Sequence, residues 1–499
     1  MFAVLLTGCI SIRTGEGQKQ TYPVAAAITQ ISPELLIEDL AFLEGKLQSI
    51  HPQPFARQSQ SDFQRQYKLL KDTLNYPMSR SEFYLRVAPL LAGLRDVHTY
   101  VNLPRDQFGD FKFRGEKLFP LAVIVDGAKL YVAADLSGEK RVPVGARITA
   151  INQSPTHFLL NVMRTLIAKE TLTGQSSKIQ SEFSWLLSSM GYGRETYQIE
   201  YLWQSRTHSA KLVGVYSPPP NTNENLSGSR LSAVTQATPI NSFYGFSELT
   251  RDTALLWLND FNEKPEVFSA FLQQKFALLE SKGIANLVID MRFNSGGLLQ
   301  NLKTLLAFVS SRPVKWAERG TIKISNQLKR NHQHKTRQRR VDKYDWGLQW
   351  LPLEWIDALQ TQIWWGRNGK LLEMPLDPIE PGKNYKPQRV WVLTNGGCLS
   401  ACSFFIASVN HYQLGKTLGE RPGSLARFQF AYPVKITLPH SGLDVTLPTM
   451  RIDFVESPLL QPALPQQVIE RNESDIEQRR DPVLNRALIE AENLLIEIN

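Results

Sequence analysis

Three short stretches of this 499-residue chain set chemically capable side chains beside backbone that can expose them. In Thr394-Asn-Gly-Gly-Cys-Leu-Ser400-Ala-Cys-Ser, an apolar run ends in paired glycines before a new apolar segment begins. A serine at such a strand-to-helix elbow is exposed, and the helix dipole favours negative charge developing beside it. Taken by itself, such a serine is more commonly a helix N-cap. Asp290-Met-Arg-Phe-Asn-Ser-Gly296-Gly297 is a second strand that runs into paired glycines and a helix. Glycines permit positive φ and close backbone approach, and helix starts offer unpaired N–H groups. That turn could build an oxyanion hole, hold a phosphate, or be plain turn chemistry. Arg95-Asp96-Val97-His98-Thr99 sets one of eight histidines beside an acid. A lone histidine is usually a core or surface residue.

The elements that must position these residues fall into blocks. Residues 1–30 read as a leader remnant and polar tether. Residues 31–105 form a helical domain ending at the Asp96–Thr99 stretch. Its first helix opens at Ser32-Pro33-Glu34 and repeats Leu36, Leu40, Leu43 and Leu47, and later helices open at Ser61 and Ser81. Residues 110–216 change to short strands, with Asp126-Gly127 as a hairpin turn. Within them Pro143 to Asn152 resembles the PDZ phrase in which a strand precedes the peptide-binding helix, with Gln153 in place of a glycine. Residues 217–240, rich in Pro, Asn, Ser and Thr, are a linker. From 241 to 470 strands and helices alternate, the signature of an α/β domain, interrupted by an insertion over 312–388; residues 471–499 carry a C-terminal helix. The insertion holds Trp346, Trp350, Trp355, Trp364 and Trp365, more apolar area than an exposed loop carries, and is expected to be a packed subdomain or a lid.

Taken together and in order, "D-x-H-T", "D-x-R-x-N-x-G-G" and a later Ser-Ala after a strand resemble peptidase family S41, the tail-specific and tricorn-core-like serine peptidases, over about residues 31–470. The resemblance implies a ClpP/crotonase-like ββα superhelix as the catalytic domain, with helical and PDZ-like domains before it. It implies Ser400 as nucleophile. In members with a Ser–Lys dyad the lysine lies in a phrase that here reads Gly419-Glu-Arg-Pro-Gly-Ser-Leu425, and leucine cannot take a proton. The Ser–His branch fits better: His98 matches the base, and Glu456 is the family's third residue, although Glu456-Ser-Pro-Leu-Leu-Gln-Pro462 keeps only part of the phrase. Imidazole, with an ordinary pKa near ~6.5, suits a base at neutral pH. The N–H groups of Ala401 and of Gly296 or Gly297 would hold the oxyanion. If His98 proved dispensable, Lys416 and Lys435 are the bases to examine. No cofactor or metal is implied, and the partner is a peptide or protein substrate. A catalytically inactive peptide-binding lipoprotein is the alternative, and an acyl-CoA enzyme of the crotonase kind a more distant one.

Composition sets outer bounds. The net charge of +9 argues only weakly for anionic partners. The basic run from Lys329 to Arg340, with His332 and His334, is a solvated loop or a contact for anionic lipid; without a recognition fold or aromatic platforms, nucleic acid is not expected. No run of 18 or more apolar residues occurs. Leu6-Thr7-Gly8-Cys9 resembles the lipobox of bacterial lipoproteins, which implies acylation of Cys9 and a membrane-anchored, cell-envelope protein; Ile10 after it implies outer-membrane sorting. Cys398 and Cys402 flank Ser400 and are expected to be small buried residues at a tight turn rather than a disulfide framework.

Overall fold

The computed structural model describes residues 30–107, 115–217, 244–330, 361–425, 427–455 and 462–496. Cys9, Glu456, Trp346, Trp350, Trp355, His332, His334 and nearly all of the 217–240 linker lie outside the described residues.

Three helices come first: α1 (Pro33–Ile50), α2 (Gln60–Thr73) and α3 (Arg80–Ala92). Pro33 begins α1, and Leu36, Leu40, Leu43 and Leu47 form its buried stripe. The serines that open α2 and α3 are Ser59 and Ser79, each two residues earlier than the sequence reading placed them. The reason lies in the acid three residues on. The Asp62 N–H donates to Ser59, and Ser79 with Glu82 forms a complete capping box. The chain then passes through Asp96 and His98 into β1 (Tyr100–Val101).

The middle segment is a six-stranded antiparallel sheet of β2 (Leu121–Asp126), β3 (Lys129–Asp135), β4 (Arg147–Ile151), β5 (Ser154–Pro155), β6 (Thr196–Trp203) and β7 (Arg206–Val213). The Asp126-Gly127 hairpin joins β2 to β3, with Asp126 opposite Lys129. Helices α4 (Thr156–Leu166) and α5 (Leu172–Leu187) pack with it, burying Leu159, Leu160, Met163, Ile179 and Phe183.

The remaining chain alternates. In order come β8 (Tyr244–Glu248), β9 (Thr253–Leu258), α6 (Pro265–Lys282), β10 (Asn286–Asp290), α7 (Leu299–Val309), β11 (Arg319–Lys323) and β12 (Leu371–Pro375). Then follow β13 (Arg389–Thr394), α8 (Ala401–Tyr412), β14 (Lys416–Gly419), β15 (Phe428–Thr437), β16 (Asp444–Asp453), β17 (Gln467–Val468), α9 (Glu473–Glu477) and α10 (Pro482–Ile496). One sheet runs β17-β14-β13-β10-β9-β8, parallel except for β8. Its inner strands β9 and β10 are buried at every residue and β13 at all but its first, as parallel strands covered on both faces must be. The second sheet, β1-β16-β11-β12 with β15 on β16, is antiparallel. Strands β11 and β12 lie inside the 312–388 insertion, so part of that insertion is sheet. Trp364 and Trp365 are exposed.

The blocks are not beads on a string. The core of the three helices and the middle sheet continues into Val434, Ile436, Val445 and Leu447 of the β15–β16 hairpin. A second core fills the α/β part, and a third seals the other face of the parallel sheet against α10 through Trp257, Trp391, Leu484 and Ala487. The stretch that carries His98 is therefore fixed against the part that carries Ser400. Among the described residues no helix is long and apolar enough to cross a membrane.

Candidate active site

Strands β10 and β13 are parallel neighbours, with Asp290 opposite Leu393. Their carboxyl-terminal loops must emerge side by side, the crevice position at which open α/β sheets bind ligands. Those loops are the two glycine motifs, and side chains lace them together. The Asn395 carboxamide oxygen accepts the N–H groups of Phe293 at 2.8 Å and Gly397 at 2.9 Å. The Leu399 N–H donates to the Asn294 carbonyl, and the Asn294 amide donates to the Leu258 carbonyl. Below them Arg292 is buried, donating to both carboxylate oxygens of Asp290 and to Asp481 at 2.8 Å. The paired carboxylates raise the guanidinium pKa against the opposing effect of burial. Removing one partner from such a pair leaves an uncompensated charge and costs about 3–5 kcal/mol.

Ser400 precedes α8 with φ +53° and ψ −119°. Positive φ at a non-glycine residue costs of order 1–3 kcal/mol and persists only where the surroundings impose it. Here the Ser400 N–H is held by the Ser424 hydroxyl at 3.0 Å. Ser400 caps nothing with its side chain, which excludes the plain N-cap role and leaves the hydroxyl at the cleft. Gly296, at φ +90°, faces it so closely that a Cβ there would lie 2.7 Å from the Ser400 Cβ. Gly297, at φ +132°, backs onto Phe261 and Asn262 in the same way.

The three candidate oxyanion donors are not equivalent. The Gly296 N–H is committed to the Asn294 carboxamide oxygen at 2.9 Å. Gly297 and Ala401 have no hydrogen-bond acceptor for their N–H groups among the described residues. Cys398 and Cys402, expected to be free, form a disulfide with Cα atoms 5.4 Å apart. Both are fully buried, as expected; what the spacing hid is that the tight turn folds Cys398 back over the first turn of α8. The bridge straddles Ser400.

His98 lines the same cleft as Ser400, a hollow of about 890 Å³ whose wall also includes Tyr100, Lys264, Leu298, Leu299, Tyr432 and Pro433. No hydrogen bond joins the two side chains, as is common in unliganded sites, where catalytic contacts tighten on substrate binding. Beneath His98 lies a buried polar network. Its Nδ1 is 3.5 Å from an Asp96 oxygen and has no other partner. Asp96 is buried and accepts the His98 N–H at 3.0 Å, the Thr99 hydroxyl and, at 3.3 Å, His51 Nε2. Burial would push the Asp96 pKa up, but hydrogen bonds from His51 and His98 outweigh it and hold the carboxyl well below its usual range. His51 accepts the Gln53 N–H at Nδ1, so Nε2 carries the proton toward Asp96; burial lowers the pKa of its imidazole, with Asp96 opposing.

Glu170, from the α4–α5 connection, closes the network. It accepts from Arg57 at 2.7 Å, from the Val97 N–H at 3.2 Å and from the Leu425 N–H at 3.0 Å. Burial raises its pKa, with Arg57 opposing. Leu425, at the lysine position of the dyad branch, thus contributes only its backbone. Lys416 and Lys435, the substitute bases considered from sequence, are tied to Glu490 and Asp444 and do not line the cleft. Donor atoms of Asp96, His98 and Glu170 lie within 4.8 Å of one another. The two carboxylates are already occupied by hydrogen-bond donors, and Arg57 supplies the counter-charge a metal would bring, so the donor set does not fit a metal site. His51, Arg57 and Glu170 escaped the sequence reading, since no local motif marks them.

Residues 252–453 match the family model for peptidase family S41, the family that the three motifs resemble. The α/β architecture expected from the motifs is the fold of solved S41 structures. Mature CPAF complexed with lactacystin aligns with a TM-score of 0.66 at 14% identity, covering 93% of this chain and 98% of that one. Mature CPAF alone aligns at 0.62 and 15% identity, covering 90% and 94%. The photosystem II D1 C-terminal processing protease aligns at 0.41 and 13%, covering 88% and 93%. No curated protein matches the chain in sequence.

Proposed function

We propose that this chain is an exported serine peptidase in which Ser400 attacks the scissile carbonyl and His98 removes its proton. The observation that carries the reading is the pairing of a half-buried, cleft-lining serine of strained backbone with a carboxylate-backed histidine on one cleft. A hydroxyl is a weak nucleophile until a base takes its proton. Neutral His98 receives it and later returns it to the leaving amine. The N–H groups of Gly297 and Ala401 stabilise the tetrahedral oxyanion, and water then releases the acyl group from Ser400. Asp96 fixes the imidazole and stabilises its cationic form. Glu456, at the position of the family's third residue, is the rival for that duty. Leu298, Leu299, Tyr432 and Pro433 give the cleft an apolar wall for substrate side chains.

The outlying parts complete the proposal. The middle segment would capture a chain end by strand addition, as PDZ-like domains do. Acylation of Cys9 would anchor the enzyme in the cell envelope, and a disulfide beside Ser400 accords with an oxidising compartment. Reaction with a fluorophosphonate probe followed by peptide mass mapping tests the core claim: the adduct should lie on Ser400 and vanish in Ser400→Ala. A folded wild-type protein that takes no label would favour the inactive peptide-binding alternative. Palmitate labelling in the native host, compared with Cys9→Ala, tests the anchor.

A further inference from the structure

Away from the Ser400 cleft, a second hollow of about 430 Å³ opens between α2–α3 and the connection from α4 to α5. Its charged lining residues are all cations: Arg86, Arg95, Arg164 and Lys169. Among the described residues none of them has an ion-pair partner. Arg86 donates to the Tyr76 phenol, and Arg164 to the Gly127 carbonyl and the Asn161 side chain. Arg86, Arg95 and Lys169 are exposed. Like charges gathered in one concavity repel one another and focus a positive potential, which an anion relieves. A single charge cannot serve cations on both walls. A compact group with several oxyanions can, since guanidinium groups match phosphate and carboxylate geometry. The volume is that of a small-molecule site.

The hollow is also joined to the catalytic network. Arg95 immediately precedes Asp96, and Lys169 immediately precedes Glu170. Arg57 stitches the two walls from behind, donating to the Arg95 carbonyl at 3.1 Å and to Glu170 at 2.7 Å. Arg95 has left-handed backbone, φ +57°, so the chain turns sharply between the hollow and Asp96. Whatever draws Arg95 and Lys169 together draws together the two carboxylates beside His98.

We propose that this hollow binds a small multivalent oxyanion, carrying two or more phosphate or carboxylate groups, and that its occupancy tightens the residue 95–98 and 167–170 segments around His98. The binding stands apart from the peptidase reading; its effect on Ser400 reactivity rests on it. Calorimetry on the full chain with tripolyphosphate, at fixed ionic strength, should show one saturable site, with no heat from acetate. Citrate beside it distinguishes carboxylate from phosphate as the recognised chemistry, and binding of either supports the site. The double variant Arg86→Gln/Lys169→Gln should weaken binding at least about tenfold, as loss of two charge-assisted contacts requires. The single surface variant Lys169→Glu should do likewise and guards against a folding defect in the double. No saturable binding of either anion, or equal binding by wild type and both variants, overturns the site. Fluorophosphonate labelling of Ser400 should quicken several-fold with saturating tripolyphosphate in wild type and not in the variants; binding without that change overturns the coupling. Absence of labelling under every condition would sink the peptidase reading, while calorimetry would still decide the anion site.

Discussion

The stretch around Ser400 is shaped by local backbone turns that nearby side chains lace together, whereas the His98 stretch depends on side chains gathered from distant parts of the chain. On the Ser400 side, two adjacent parallel strands deliver two glycine turns, and the serine sits in a positive-φ elbow between Gly296 and a disulfide. On the His98 side, Arg57, His51, Asp96, Glu170 and the backbone of Leu425 converge from distant parts of the chain. Backbone geometry tolerates almost no change, because a misplaced nucleophile fails outright. A side-chain network degrades by steps, since each member supports the histidine only in part.

That contrast can be broken or sharpened by substitution. Gly296→Val should abolish peptide turnover, a loss of about 10³-fold or more, because its Cβ would meet the Ser400 Cβ at 2.7 Å. Retained turnover would refute the backbone account. Asp96→Asn should lower kcat by about 10²- to 10⁴-fold, the range in which removing a histidine-orienting carboxylate falls. If Glu456→Gln costs more than Asp96→Asn, Glu456 and not Asp96 orients His98.

The same carboxyl gives a pH prediction. Its folded-state pKa lies below the unfolded one, so it contributes stability above the ordinary carboxylate pKa near ~3.9. That contribution is lost as pH falls toward the depressed folded value. Acid denaturation of wild type should therefore fall more steeply below about pH 4 than that of Asp96→Asn, and parallel curves would contradict the assignment. Replacing both Cys398 and Cys402 by Ser should lower the rate of Ser400 labelling by about tenfold while leaving His98 untouched, since the bridge restrains only the elbow. Unchanged labelling would show that the glycines alone hold it. Lys416→Met and Lys435→Met should change turnover by less than about twofold, the outcome for charges remote from the reacting atoms.

The sequence disclosed these two sides unequally, for the same reason. The Ser400 and Gly296 motifs are contiguous, and their glycines and strand-to-helix texture are local properties. The α/β alternation was equally legible, because buried parallel strands read as unbroken apolar runs. His98 was visible only through its motif neighbours. Glu170 meets Arg57 across 113 residues and Leu425 across 255, and no propensity or periodicity reports such pairings. The Cys398–Cys402 bridge was hidden because four-residue spacing means contact only once the turn geometry is known. The starts of α2 and α3 were misplaced by two residues because several serines compete there and the acid at the third position selects among them.

The central claim, that His98 activates Ser400, is tested most directly by the pH dependence of fluorophosphonate labelling in wild type and in His98→Gln. The account predicts a wild-type rate that climbs as imidazole loses its proton and then levels, because only the neutral ring accepts the Ser400 proton. In His98→Gln the rate should fall by about 10³-fold or more, and that rise should vanish. A folded His98→Gln protein that labels at near wild-type rate with the same pH profile would show that another group activates Ser400.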